Sequence, residues 1–297
     1  MGKYASGERQ KGIIAIILLA VCYGILALMP RYLINSFALF QQVYLRQAIG
    51  FLFLFLLFRR QIDFKKLRTL PLKEWIVVML RAFIYFFLGV VLFTQSLLMT
   101  KISNVTFIGA IPMTALIGFI LLKEKFNFQK FFLVLISFLG VIAISVSDFS
   151  NITSFGKGEI IALLSAFFIS LGLISRKWQS KVLSDRETSI LMLFFAALFI
   201  FIGSLLKGEG LTATNLQVET VLILVLGGFL NAGVGYLMNY GFSRVDAVLA
   251  NNLIALEPIF ATFFAFLVFS EVPISKEILG GTLIILSAIL LHRTEQN

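Results

Sequence analysis

This chain of 297 residues is poor in charge for its length and holds only one histidine and one cysteine. Its single cysteine, Cys22, excludes a disulfide framework and a thiolate metal site, and its single histidine, His292, excludes a histidine metal cluster. Charged residues are 13% of the chain, against roughly 25% in soluble domains. With 59% hydrophobic residues and a mean hydropathy of +0.98, a soluble fold is excluded. The motifs of hydrolytic and phosphoryl chemistry are missing too: no Gly-x-Ser-x-Gly, His-Glu-x-x-His or Walker sequence occurs. A membrane enzyme is therefore the weaker reading, no cofactor or metal is expected, and an ATP-driven pump would need its ATPase on another chain. The net charge of +10 invites a nucleic-acid partner. Its basic residues, however, fall in short segments between apolar runs, where they orient a membrane protein rather than bind a polyanion.

What is present is a succession of apolar runs. A membrane-spanning helix needs about 20 such residues, and runs of that size lie near 13–33, 38–58, 75–98, 103–122, 130–147, 158–176, 188–206, 219–241, 247–269 and 276–292. The expected fold is an all-α integral membrane protein of ten transmembrane helices. The narrowest separations are Thr100-Lys101 and Arg244–Asp246. The first run follows a basic start, as in a signal peptide, but no small-residue cleavage site follows it, so it is expected to remain as the first helix. With both termini inside, eighteen of the 25 Lys and Arg residues fall in inner segments, and five (Arg31, Lys101, Lys157, Lys207, Lys276) in outer ones. That bias predicts a multi-pass protein of the cytoplasmic (inner) or plasma membrane with both termini cytoplasmic. The remaining two, Arg46 and Arg81, lie within spans. Asn151-Ile-Thr forms a glycosylation sequon in an outer connection, relevant only in a eukaryotic host.

The chain also repeats itself. Lys101–Ser147 and Val248–Ala288 each hold an Asn (Asn104, Asn251), an apolar span broken by a proline (Pro112, Pro258), a Glu (Glu124, Glu271) and a further apolar span. A shift of 147 residues superposes Asn104 on Asn251 and Glu124 on Glu271, while the prolines differ in register by one. Residues 1–150 and 151–297 then form two repeats of five helices. Because five is odd, the second enters the membrane from the opposite side, an inverted repeat of the kind on which secondary transporters are built.

The segments Ser103–Glu124 (SNVTFIGAIPMTALIGFILLKE) and Ala247–Glu271 (AVLANNLIALEPIFATFFAFLVFSE) carry a resemblance. Small-residue-rich, with a mid-span proline and a Glu at the exit, they resemble the drug/metabolite transporter superfamily, specifically the EamA-type permeases, over about Gly12 to His292. The resemblance implies two inverted five-helix repeats around a central cavity formed by helices 1–4 and 6–9, with helices 5 and 10 peripheral. It implies a secondary transporter, by analogy an exporter of a small metabolite such as an amino acid. Carried over by position, the cavity-facing candidates are Tyr23, Tyr85, Gln95, Asn231, Tyr236, Asn239, Asn251, Asn252 and Glu257.

Several residues carry weight of their own. Glu257 lies ten residues into the ninth span, roughly 15 Å deep at 1.5 Å per residue. A carboxylate there must face a cavity or partner, or hold a proton, so it is expected to couple transport to protons or to receive a cationic group, with a structural tie as the alternative. Pro258 lacks an N–H for the carbonyl of Ile254 and should kink the helix, as Pro112 should kink the fourth. Arg46, eight residues into the second span, keeps its charge and needs Glu257, a substrate anion, carbonyls or water. Arg81 sits six or seven residues from the inner end of the third span and is expected to snorkel to the interface. The amides of Asn231, Asn239, Asn251 and Asn252 either recognise a polar solute or bond helix to helix, with Gln95 and Asn104 as outer counterparts. Tyr23, Tyr85 and Tyr236 could form an aromatic wall. Gly227, Gly228, Gly233 and Gly235 thin the eighth span for close packing or a hinge, and Gly280-Gly281 could serve a dimer face. The partners expected are a small-molecule substrate, the lipid bilayer and protons, and the chain acts as a monomer or homodimer. A passive facilitator, channel or exchanger is the alternative function.

Overall fold

In the computed structural model, the residues described are 6–100, 105, 108–109, 111–122, 127–145, 156–209, 217–269 and 275–294. All regular structure among them is helical: α1 (Ser6–Leu26), α2 (Leu39–Phe58), α3 (Leu72–Met99), α4 (Met113–Leu121), α5 (Phe128–Ser145), α6 (Lys157–Ile174), α7 (Asp185–Leu206), α8 (Val218–Phe242), α9 (Ala247–Ile254), α10 (Glu257–Phe269) and α11 (Ser275–Thr294). Eight stretches are long and apolar enough to cross a bilayer: α1, α2, α3, α6, α7, α8, the α9–α10 pair and α11. Helices α4 and α5 occupy the fourth and fifth apolar runs and are shorter. The expectations for Asn104, Glu124, Glu271 and the sequon at Asn151 fall outside the described residues.

The distribution of side chains is inverted relative to a water-soluble protein. Gln41, Gln42, Arg46 and Gln47 of α2 and Arg81 and Thr94 of α3 are buried, while Leu52, Leu56, Ile120, Phe128, Leu222 and Leu279 are exposed. In hydrocarbon this arrangement is favourable, because polar groups find partners only inside the bundle. Burying apolar surface drives little helix association in lipid, so close packing has to supply the contacts. Helices α2 and α8 meet at such a seam: a Cβ on Gly228 would lie 2.3 Å from Ile49 Cγ2, and one on Gly50 would lie 3.0 Å from the Gly228 carbonyl. Helix α8 runs unbroken through its glycines, which serve packing. Gly280 and Gly281 are also buried, and a Cβ on Gly140 of α5 would stand 2.6 Å from the Gly280 carbonyl. The dimer face expected there is instead the intramolecular seam of α5 and α11.

Arg81 corrects a second expectation. It is only 2% exposed and does not snorkel. Its Nε donates to Ser175 Oγ (3.0 Å), Nη1 to Gln179 Oε1 and Nη2 to Asn239 Oδ1 (2.9 Å). The amide of Asn239 passes on to the Gly235 carbonyl (2.8 Å), and Gln179 Nε2 to Thr188 Oγ1 (3.0 Å). The guanidinium reaches three acceptors, from the segment just after α6 and from α8, within the bundle, so the climb to the interface brings it nothing.

Beyond this layer, at the end where α1 begins, charges tie the connections together. Arg244, between α8 and α9, donates to Glu8 (2.9 Å) and to Asp185 (2.6 Å), and Asp185 also accepts from Arg176 (2.6 Å). Partial burial works against the Arg244 charge, but the hydrogen bonds to Glu8 and Asp185 outweigh it and hold the guanidinium above its ordinary range. Lys66 pairs with Glu187 (2.5 Å), whose carboxylate also closes the capping box with Ser184 at the start of α7. At the opposite end the Glu209 carboxylate takes the N–H groups of Phe40 and Gln41, which the first turn of α2 leaves unpaired.

Candidate functional site

Between these two ends the helices leave a cavity of about 230 Å³. It spreads from midspan toward the end opposite the start of α1, reaching Ala27 and Pro30 after α1, Leu97 near the end of α3 and Ala162 near the start of α6. Three local departures from regular helix shape it. The first is in α3, where Phe83–Val90 forms a π-helical stretch with the Val91 N–H reaching the Phe86 carbonyl. Such stretches turn a helix face by a fraction of a residue and recur at functional sites; this one carries Tyr85, and Gly172 makes room for it, since a Cβ there would be 2.6 Å from Tyr85 Cβ. The second is the gap between α9 and α10. The helix stops at Ile254 and resumes at Glu257, with Ala255 and Leu256 in a turn. The break expected from Pro258, which has no N–H to give the Ile254 carbonyl, thus lies between Ile254 and Glu257, and it leaves the proline in the first turn of α10, where the missing N–H costs no helical bond. The third is at Pro112, the N-cap residue of α4.

Six of the ten candidate ligand residues line the cavity: Tyr23, Arg46, Tyr85, Asn231, Asn251 and Glu257, with Pro258 beside them. The Tyr23 and Tyr85 hydroxyls meet at 2.5 Å, joining α1 to α3. Helix α1 also closes on the broken helix, since a Cβ on Gly24 would lie 3.0 Å from Ala261 N and 3.2 Å from the Glu257 carbonyl. Arg46 is 4% exposed; its Nε donates to the Gln42 carbonyl (3.0 Å), and its stem packs over Gly227. Asn231 accepts from Gln47 (2.9 Å) and donates to the Gly227 carbonyl (2.7 Å). Arg46 and Glu257 make no ion pair with one another, so that expected alternative is not realised.

The other four candidates lie elsewhere. Asn239 belongs to the Arg81 cluster, and Asn252 packs against Ser287 of α11 at 3.5 Å. Tyr236 makes tilted ring contacts with Phe58 and Tyr240, reducing the expected aromatic wall to two tyrosines, and Gln95 is half-buried off the cavity. A face of α6 with two serines was not among the candidates: Ala162, Ser165, Ala166, Ile169, Ser170 and Leu173 all line the cavity. Their spacing of three and four residues is the signal that would have found it. Thr94 and Thr114, scattered hydroxyls in apolar runs, carried no such signal. Among the described residues, no three His, Cys, Asp or Glu side chains are placed to hold a metal ion.

The comparisons agree with this architecture. A solved crystal structure superposes with a TM-score of 0.77 over 98% of this chain and 100% of its own, at 16% identity, which shows a shared fold. An uncharacterized transporter from Synechocystis is 26% identical over 82% of this chain and 72% of its own. An S-adenosylmethionine uptake transporter from Rickettsia felis is 28% identical over 75% of this chain and 73% of its own, and its counterpart from Rickettsia bellii 26% identical over 75% and 74%. The profile of the EamA-like transporter family matches twice, over residues 10–146 and 156–293. With two copies accounting for nearly its whole length, this chain is a member of the EamA-like transporter family.

Proposed function

We propose that this protein is a secondary transporter that carries a small metabolite by alternating access, with the central cavity as its solute site and Glu257 as the group that couples transport to protons or receives a cationic moiety. The observation that carries this reading is a carboxylate at a break in a spanning helix, facing a cavity, with no hydrogen-bond or ion-pair partner among the described residues. An uncompensated charge at that depth costs several kcal/mol, and a proton or a bound cation removes the cost.

The distribution of closures supports alternating access. The Arg81 cluster and the ion pairs of Glu8, Asp185, Arg176 and Arg244 lie on one side of the cavity, while the cavity spreads toward the other. A passive channel would leave both ends open. The breaks near Pro112 and Pro258 fall at matching places in residues 1–150 and 151–297, in keeping with two inverted repeats that rock about the cavity. We take the termini and the ion-paired end to be cytoplasmic, in the inner membrane, because the basic residues concentrate there.

For the solute, amino acids and S-adenosylmethionine are the first to test, the latter because two relatives are named for its uptake. The expected outward direction has no counterpart in those names, and a carrier cycle runs either way according to its gradients. Uptake of labelled amino acids and S-adenosylmethionine into proteoliposomes, with and without an imposed pH gradient, tests the reading. Saturable accumulation that follows the gradient, and loses that dependence in Glu257→Gln, is expected. Uptake linear in solute concentration, without counterflow, would instead establish a channel, and saturable uptake indifferent to the gradient a facilitator or exchanger.

A further inference from the structure

The polar groups around the cavity divide into those already engaged and those left open. Thr94 donates to the Val90 carbonyl (2.9 Å), Ser165 to the Gly89 carbonyl (2.9 Å) and Thr114 to Ser170 (2.9 Å), and Asn231 is engaged at both ends of its amide. The terminal nitrogens of Arg46, the Glu257 carboxylate and the Asn251 amide have no hydrogen-bond or ion-pair partner among the described residues. All three line the same cavity, whose other walls include Phe86, Phe93, Ile169 and Leu173.

Two opposite charges thus face one apolar chamber without meeting. The Arg46 guanidinium does not give up its proton at any physiological pH, so it calls for an anion. A solute bringing only an anion leaves Glu257 to take up a proton, and one bringing only a cation leaves the Arg46 charge uncompensated in a low-dielectric space. A solute that brings both groups satisfies both with no counter-ion.

We propose that the cavity selects zwitterions, with the solute's anionic group on the Arg46 nitrogens, its cationic group on the Glu257 carboxylate, and an apolar body against the aromatic and aliphatic walls. The proposal rests on the transporter reading and adds the class of solute and its orientation.

The test holds the body constant and varies only charge. The twenty common amino acids are compared with their methyl esters (cation alone) and N-acetyl derivatives (anion alone), as competitors of uptake into proteoliposomes. The expected result is that the best free amino acid competes at least about tenfold more tightly than either derivative. In Arg46→Gln the ester should equal the free amino acid, in Glu257→Gln the N-acetyl form should, and Arg46→Lys should keep most of the preference. Thermal melts of each purified variant show that it is folded. Equal competition by ester or N-acetyl form in the wild type overturns the proposal and leaves the transporter reading intact, as does saturable uptake confined to neutral solutes such as sugars. Absence of saturable uptake for every solute overturns the transporter reading and this proposal with it.

Discussion

Replacing Asp185 by Asn should open the end of the protein that the ion pairs close. Asp185 accepts from Arg176 on one oxygen and from Arg244 on the other, both at 2.6 Å, with side-chain exposures of only 12%, 7% and 20%. Hydrogen bonds to charged groups contribute about 1.5–3 kcal/mol. An Asn keeps the shape and one acceptor oxygen, but it turns the other into an N–H2 group and removes the negative charge, so one arginine loses its bond and the two face each other unneutralised. Glu8, the most exposed member, keeps its bond to Arg244 in the Asn protein, where solvent screens it most. If the pairs exist only while that end is closed, the opening equilibrium shifts by about 1.5–3 kcal/mol, or about 10- to 150-fold. The assay is thiol labelling. Cys22 is the chain's one cysteine, so a Cys22→Ala background with Ala166→Cys places a single reporter on the α6 face of the cavity. A membrane-impermeant reagent applied from the side of the α1 start should label the reporter at least about tenfold faster in the Asp185→Asn protein than in its parent. A rate unchanged within twofold would show that these pairs do not hold the end shut.

Arg81→Met should act on stability rather than on solute binding. It strands acceptors on Ser175, Gln179 and Asn239, each costing about 1–3 kcal/mol when left unmet in the interior, so the melting temperature should fall while the protein that remains folded binds solute with unchanged affinity. Gly228→Ala should cost about 1–3 kcal/mol, because its Cβ would lie 2.3 Å from Ile49, whereas Gly233→Ala, with its nearest atom 3.5 Å away, should be near neutral; paired thermal melts decide. Tyr85→Phe removes one side of the 2.5 Å Tyr23–Tyr85 contact and should weaken solute competition without lowering the melting temperature by more than a few degrees.

The sequence alone determined which segments are apolar helices, where prolines interrupt them, that the halves repeat, and how deep each charge lies. Those properties are one-dimensional: span length follows from bilayer thickness, and depth follows from counting residues at 1.5 Å each. Glu257, placed ten residues into its span on that basis, does stand at the head of a half-helix facing a cavity. Rotation about each helix axis was left to the tertiary structure. In water a polar face announces the outside, but here lipid and neighbouring helices are both apolar, so the pattern of α8 or α3 barely distinguishes one face from another. Asn231 and Asn239 sit eight residues apart on the same helix, yet one lines the cavity and the other serves Arg81. Arg46 and Arg81 read alike as buried arginines. Only the packed bundle gives one of them a full set of acceptors and leaves the other at the cavity with none for its terminal nitrogens among the described residues, because acceptors on helices far apart in sequence become neighbours only when the chain folds.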